Sequence, residues 1–269
     1  MAALLWSVRR ELWENRSIYV APTIVTAAIA LGSLVAVKLN AQPQKLASHC
    51  EIAAAALMGT TFLITIFYCL DALYGERRDR SILFWKSMPV SDWTAVLSKL
   101  TIPLIILPVI TFVMTVLAQS IMLLTSSAFL SMTGRSAAAL WTLPWLQTWT
   151  GLLYHLVTVH SLYYAPIFGW LLLVSAWAKR APFLWAFLPL AAIGFIEKIV
   201  FNTTHFASML GSRISGGMED GAAKTDSMTM LWPSHPAEFL SRPGLWIGLA
   251  IAAAFIAGAV RLRRYRDPI

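Results

Sequence analysis

Few side chains in this sequence have the chemistry to react or to bind charge. His155 and His160 share one apolar run with Tyr154, Ser161, Tyr163 and Tyr164. On a regular α-helix, residues five apart lie about 140° from each other, so the two rings face different sides and make a poor metal pair. Ser161 beside His160 is not the nucleophile-and-base arrangement of a serine hydrolase. No H-E-x-x-H zinc signature occurs. Cys50 and Cys69 fall at opposite ends of one predicted helix, beyond disulfide reach. No catalytic, metal-binding or cofactor-binding residue is expected in this chain.

Three polar residues inside apolar runs are candidates for a gating or pathway role, because ionisable and polar groups are costly in a bilayer. Asp71 lies near one end of its run and either pairs with Arg77 or Arg78 or takes part in gating. Gln119 can hydrogen-bond across helices. Glu197 points into a helix interface or an aqueous cavity, while its neighbour Lys198 snorkels outward. Pro103, Pro108, Pro166 and Pro189 permit kinks in the same runs.

These residues sit in a chain that is 58% hydrophobic and 13% charged, about half the charge of an ordinary soluble domain. The apolar residues gather into runs close to the ~20 needed to cross a bilayer. The expected fold is an all-α integral membrane protein, a single domain over residues 1–269. Six transmembrane helices are placed at about 18–37, 52–74, 100–125, 151–177, 182–201 and 244–260. Ser48 and Glu51 form a capping-box pattern before the second. Residues 4–16 read as an amphipathic helix in the interface, too polar for a signal peptide. With the N-terminus cytoplasmic, fourteen Lys and Arg fall on the cytoplasmic side and seven outside. Both termini are therefore expected inside. The net charge of +8 becomes a topology signal, so nucleic acid is not an expected partner.

The segment from Gly75 to Lys99 is the charged break between the second and third spans. Gly75 is expected to cap the second span. Asp79 or Ser81 would cap a short helix bearing Ile82, Leu83, Phe84 and Trp85, with Arg80 and Lys86 flanking it and Met88 and Pro89 ending it. Ser91 or Asp92 would cap the next helix. Four large apolar residues in a row are too many for a solvated loop. The short helix either fits a groove on a partner or lies flat on the bilayer.

The run Arg78–Ser91, RDRSILFWKSMPVS, resembles the first cytoplasmic loop of bacterial type-2 ABC exporter permeases. The stretch Arg10–Arg16, RELWENR, is similar to their N-terminal interfacial helix. The resemblance is sharp over the loop, moderate at the N-terminus and topological elsewhere. It implies a permease subunit in the bacterial inner membrane, paired with a second permease, identical or homologous. Separate cytoplasmic ATPase subunits would hold ATP and magnesium. Asp79 to Pro89 would be the coupling helix seated on the ATPase.

No G-x-x-x-x-G-K-[ST] motif is present, so ATP hydrolysis is not expected of this chain. The spans offer no mid-depth ring of charge, which fits a hydrophobic or amphipathic cargo. A non-transporting membrane anchor or signalling partner, whose loop docks another protein, stays open. An intramembrane enzyme has no supporting motif.

Overall fold

The computed structural model describes residues 2–87, 90–214 and 236–265. Met88 and Pro89 lie outside the described residues, as do Arg266 and residues 215–235, between the expected fifth and sixth spans. Among the described residues every regular element is a helix. Apolar side chains such as Ile24, Leu31, Ile105, Val109, Phe195 and Ile199 stay exposed along the long helices. Such a surface suits lipid, and a helix satisfies its own backbone groups there. The chain is thus a multi-pass membrane protein. Five helices are long and apolar enough to cross a bilayer, and a bent pair makes a sixth candidate.

Helix α1 (Ala2–Glu14) precedes the first spanning candidate, α2 (Ser17–Val35). After the single turn α3 (Val37–Asn40), α4 runs over Pro43–Ala72. Pro43 occupies its first turn, where a missing N–H costs nothing. The expected capping box is overridden, because Ser48 already lies inside the helix and donates back to the Lys45 carbonyl at 3.0 Å. With 30 residues, α4 is about 45 Å long, against roughly 30 Å of hydrocarbon.

Leu73 interrupts the helix before α5 (Tyr74–Arg78). The expected Gly75 cap is therefore two residues too late: Gly75 sits inside α5, where a Cβ would meet the Asp71 carboxylate at 3.2 Å. A left-handed Arg80 (φ 56°) turns the chain into α6 (Ser81–Ser87). Ser91 caps α7 (Asp92–Thr101) by accepting from the Thr94 amide at 3.1 Å. A π-helical stretch, Ile102–Ile106, contains Pro103 and leads directly into α8 (Leu107–Met132). The third span is thus one rod of 41 residues, Asp92–Met132, much longer than its apolar run.

Past the turn α9 (Ala138–Trp141), the expected fourth span corresponds to a bent pair made of α10 (Trp145–His155), a π-helical stretch (Leu156–Tyr163) and α11 (Ala165–Trp177). It bends by 46° ahead of Pro166. Then come α12 (Pro182–Phe201), α13 (His205–Ile214), α14 (Pro236–Ser241) and α15 (Pro243–Tyr265).

Helix α8 packs against α2 and α4, and α11 against α15 and α4. Gly169 makes the α11–α15 approach possible, since a Cβ there would lie 3.2 Å from the Ala252 carbonyl oxygen. Between α4 and α8, Thr61, Thr65, Thr111 and Thr115 are all buried. Each hydroxyl lies within hydrogen-bond distance of the carbonyl four residues back, and those of Thr61 and Thr111 also meet, so one of the two gives its single proton to the other and not to its own helix. In contrast, Ala186 is the one buried residue of α12 among the described residues.

Candidate functional site

The helices converge at one end on a buried cluster of charge. Helix α1 turns Val8 and Glu11, three residues apart, to the bundle. Its other face exposes Trp6 and Trp13, with the Arg9 guanidinium 5.5 and 5.0 Å from their rings. Such an aromatic and cationic face belongs at lipid headgroup level. Helix α1 lies on α7, which brings Lys99 to Glu11.

The break at Leu73 aims the second carboxylate. The Ser175 hydroxyl on α11 accepts from the amides of Leu73 and Tyr74 at 3.0 and 2.9 Å and donates to the Leu70 carbonyl at 2.8 Å. One side chain so satisfies groups that the broken helix leaves open. Arg77 in turn donates to the carbonyls of Ala176 and Ala178, at 2.6 and 3.2 Å, closing the end of α11. Glu76 then faces inward beside Glu11.

Lys99 bridges the two carboxylates: its Nζ is 2.8 Å from Glu11 Oε1 and 3.1 Å from Glu76 Oε1. Arg10 Nη2 also reaches both, at 2.6 and 3.2 Å. Tyr68 donates its hydroxyl to Glu11 Oε2 at 3.0 Å. From α15, Arg263 donates to Glu76 Oε2 at 3.3 Å and pairs with Asp92 at the start of α7. Three cations thus meet three carboxylates within the cluster, and Arg10 Nε also lies 3.5 Å from the exposed Glu14. Glu11, Lys99 and Arg263 are 1%, 2% and 4% exposed. Bare, each charge would cost several kcal/mol to bury, and pairing offsets that cost. Burial pushes the Glu11 carboxyl up, but Lys99 and Arg10 outweigh it and hold it below its ordinary 4.5.

Because Arg10 and Arg263 meet on Glu76, both ends of the described chain lie at the same end of the bundle. The cluster ties together α1, α5, α7 and α15, the elements that flank α6.

Helix α6 divides the apolar quartet by helical spacing. Ile82 is buried and Trp85 half-buried, with the Arg10 guanidinium 3.8 Å from the Trp85 ring centre. Leu83 and Phe84 face outward, 57% and 59% exposed. The sequence reading treated all four as anchors for a partner, whereas the fold itself uses two of them. Lys86 donates to the Arg264 carbonyl at 3.3 Å. Asp79 accepts from Arg78 at 2.9 Å. Arg80 forms the left-handed turn, and Ser81 opens α6 with its hydroxyl 3.4 Å from the Glu76 carbonyl.

The three gating candidates do not meet. Asp71 is exposed and 3.6 Å from Arg78. Gln119 donates to the Cys50 carbonyl at 3.2 Å and accepts from the Trp149 indole at 2.8 Å, which joins α8 to α4 and α10. Glu197 accepts from the Thr203 hydroxyl and from the His205 and Phe206 amides, at 2.8, 2.7 and 2.9 Å. It caps the start of α13 instead of lining a helix interface.

The histidine geometry departs from expectation, because α-helical spacing does not apply. The π-helical stretch bonds at i to i+5, as between the Tyr164 amide and the Val159 carbonyl at 3.1 Å. That wider winding reduces the angle between residues five apart from its α-helical value. The buried His160 ring packs on Tyr164 and Phe168, at 5.9 and 5.6 Å. No group of three metal-ligating side chains occurs among the described residues.

Sequence reasoning missed the cluster, counting Lys99 only towards topology and Glu11 only as polarity of the leader. A signal was present in Glu11, an acid on the same helical face as Val8. Comparisons with protein-family models, with curated proteins and with solved structures return no match.

Proposed function

We propose that this chain is the membrane-spanning permease subunit of an ATP-driven exporter of the type-2 ABC class. In this reading α6 is its coupling helix. The observation that carries the proposal is the outward pair Leu83 and Phe84, held on a rigid charged base. A free connector has no use for two exposed apolar side chains on an element whose other face is fixed by Ile82 and Trp85. A groove on a partner buries such a pair.

The partner is a separate cytoplasmic ATPase that binds ATP and magnesium, since this chain has no phosphate-binding motif of its own. A displacement of α6 passes through Trp85 to Arg10 and on to Glu11 and Glu76. Lys99 carries it into the long third span and Arg263 into the last. Rigid rods joined by paired charges transmit motion without bending, as a lever requires. A second permease, identical or homologous, completes the path in a bacterial inner membrane, with both termini cytoplasmic. The cargo is hydrophobic or amphipathic, in keeping with spans that carry no ring of charge.

The test is co-purification from native membranes. An ATPase with a phosphate-binding loop should accompany the wild-type chain and be lost from the Leu83→Ala/Phe84→Ala double variant. Recovery of only non-ATPase partners would favour the anchor or signalling reading. Undiminished ATPase recovery with the double variant would overturn the role of α6.

A further inference from the structure

A cavity of about 300 Å³ opens beside the charged cluster, between α1, α6, α7 and α15. Its size is at the lower end for small-ligand sites. Trp6, Trp85 and Val90 form apolar walls, and Ser7, Arg10 and Arg263 are among its polar lining. Both charged lining residues are cations. The carboxylates Glu11, Glu76 and Asp92 hold those arginines from behind and do not line the cavity. Arg263 Nε is buried and has no hydrogen-bond acceptor among the described residues, and Arg10 Nε is buried with only the Glu14 carboxylate near it, at 3.5 Å. Arg263 is 96% enclosed, so an unmet donor there is costly.

We propose that this cavity binds a phosphate-bearing anion through Arg10 and Arg263, with the headgroup of an anionic phospholipid as the occupant. The guanidinium N–H groups that Glu11, Glu76 and Asp92 leave open suit phosphate oxygens, and both arginines stay charged at any working pH. The position agrees with a lipid. Helix α1 carries Trp6 and Trp13 with Arg9 between them on its exposed face, so the cavity mouth stands at headgroup level. Trp6 belongs to both the exposed face and the cavity wall, which gives a headgroup a path inward from the bilayer. A bound phosphate would brace α1 against α15 next to Trp85. The site stands on this geometry alone and does not depend on the exporter reading.

The full-length protein, delipidated in dodecyl maltoside, is titrated with dioleoyl phosphatidylglycerol, with dioleoylglycerol and with inorganic phosphate. Native mass spectrometry and thermal unfolding are the readouts. Phosphatidylglycerol should be retained and raise Tm, and dioleoylglycerol, with the same chains but no phosphate, should do neither. Arg263 also neutralises Asp92 and Glu76, so the cleaner variant is Ala95→Glu, which adds a carboxylate to the lining of the cavity. It should weaken phosphatidylglycerol binding about tenfold while the lipid-free Tm holds. Ser7→Glu is the second variant should Ala95→Glu not fold. Inorganic phosphate matching the lipid's effect, and lost in the same variant, would keep the anion site and assign it to a soluble phosphate. Equal responses to the two lipids, or unchanged binding in a folded variant, would overturn the proposal.

Discussion

Replacing Lys99 with methionine removes one charge from the centre of the cluster with little change of volume. Lys99 Nζ has two carboxylate contacts, 2.8 Å to Glu11 and 3.1 Å to Glu76. At an effective dielectric of about 20, each is worth roughly 5 kcal/mol. Relief from desolvating the ammonium and from its repulsion by Arg10 cancels much of that sum. The expected net loss is about 3–5 kcal/mol, as for other buried pairs stripped of one partner. Unfolding in mixed micelles, followed by circular dichroism, measures it. The pH profile adds a second check. In the wild type, Glu11 is held below its ordinary value. Its stabilisation is complete above about pH 4.5 and is lost as the pH falls through the lower folded value. In Lys99→Met, Glu11 keeps its burial but loses one of its two cations, so it takes up a proton more readily. The variant should regain stability as the pH falls from 7 towards 5, where the wild type does not. A loss under 1 kcal/mol, or parallel pH profiles, would refute the account of the cluster as a paired, buried whole.

Gln119→Leu leaves the Cys50 carbonyl and the Trp149 indole without their partner, so a loss of about 1–3 kcal/mol is expected in the same assay. A fully stable variant would refute this structural role for Gln119. Gly169→Ala places a methyl 3.2 Å from the Ala252 carbonyl and should separate α11 from α15, costing about 1–3 kcal/mol, whereas Gly32→Ala meets nothing within 4 Å and serves as the control. Glu197→Ala removes the acceptor for the His205 and Phe206 amides, and hydrogen exchange at those two amides should accelerate while α4 and α8 stay protected.

The five long apolar helices were legible because bilayer crossing needs only a long apolar run, a local property. Residues 182–201 were placed as the helix is observed, and Ser91 announced the start of α7. Helix ends beyond the membrane were not legible. Nothing in the Ser48/Glu51 pattern says that α4 has already begun at Pro43, or that Gly75 falls inside a helix. The π-helical windings also escaped, since they come from accommodation between helices: Ser161 donates to the Leu104 carbonyl at 2.6 Å, joining one such stretch to the other.

The candidate site divides in the same way. The sequence by itself determined that the chain is apolar, helical and membrane-spanning, and that residues 75–99 break that pattern with charge and an apolar quartet. Only the tertiary structure decided which members of the quartet face out and what holds them in place. Glu11, Glu76, Lys99 and Arg263 are scattered across almost the whole length of the chain. No local pattern relates them. The need to pair every charge taken out of water acts between helices, so their meeting is settled by packing and not by spacing.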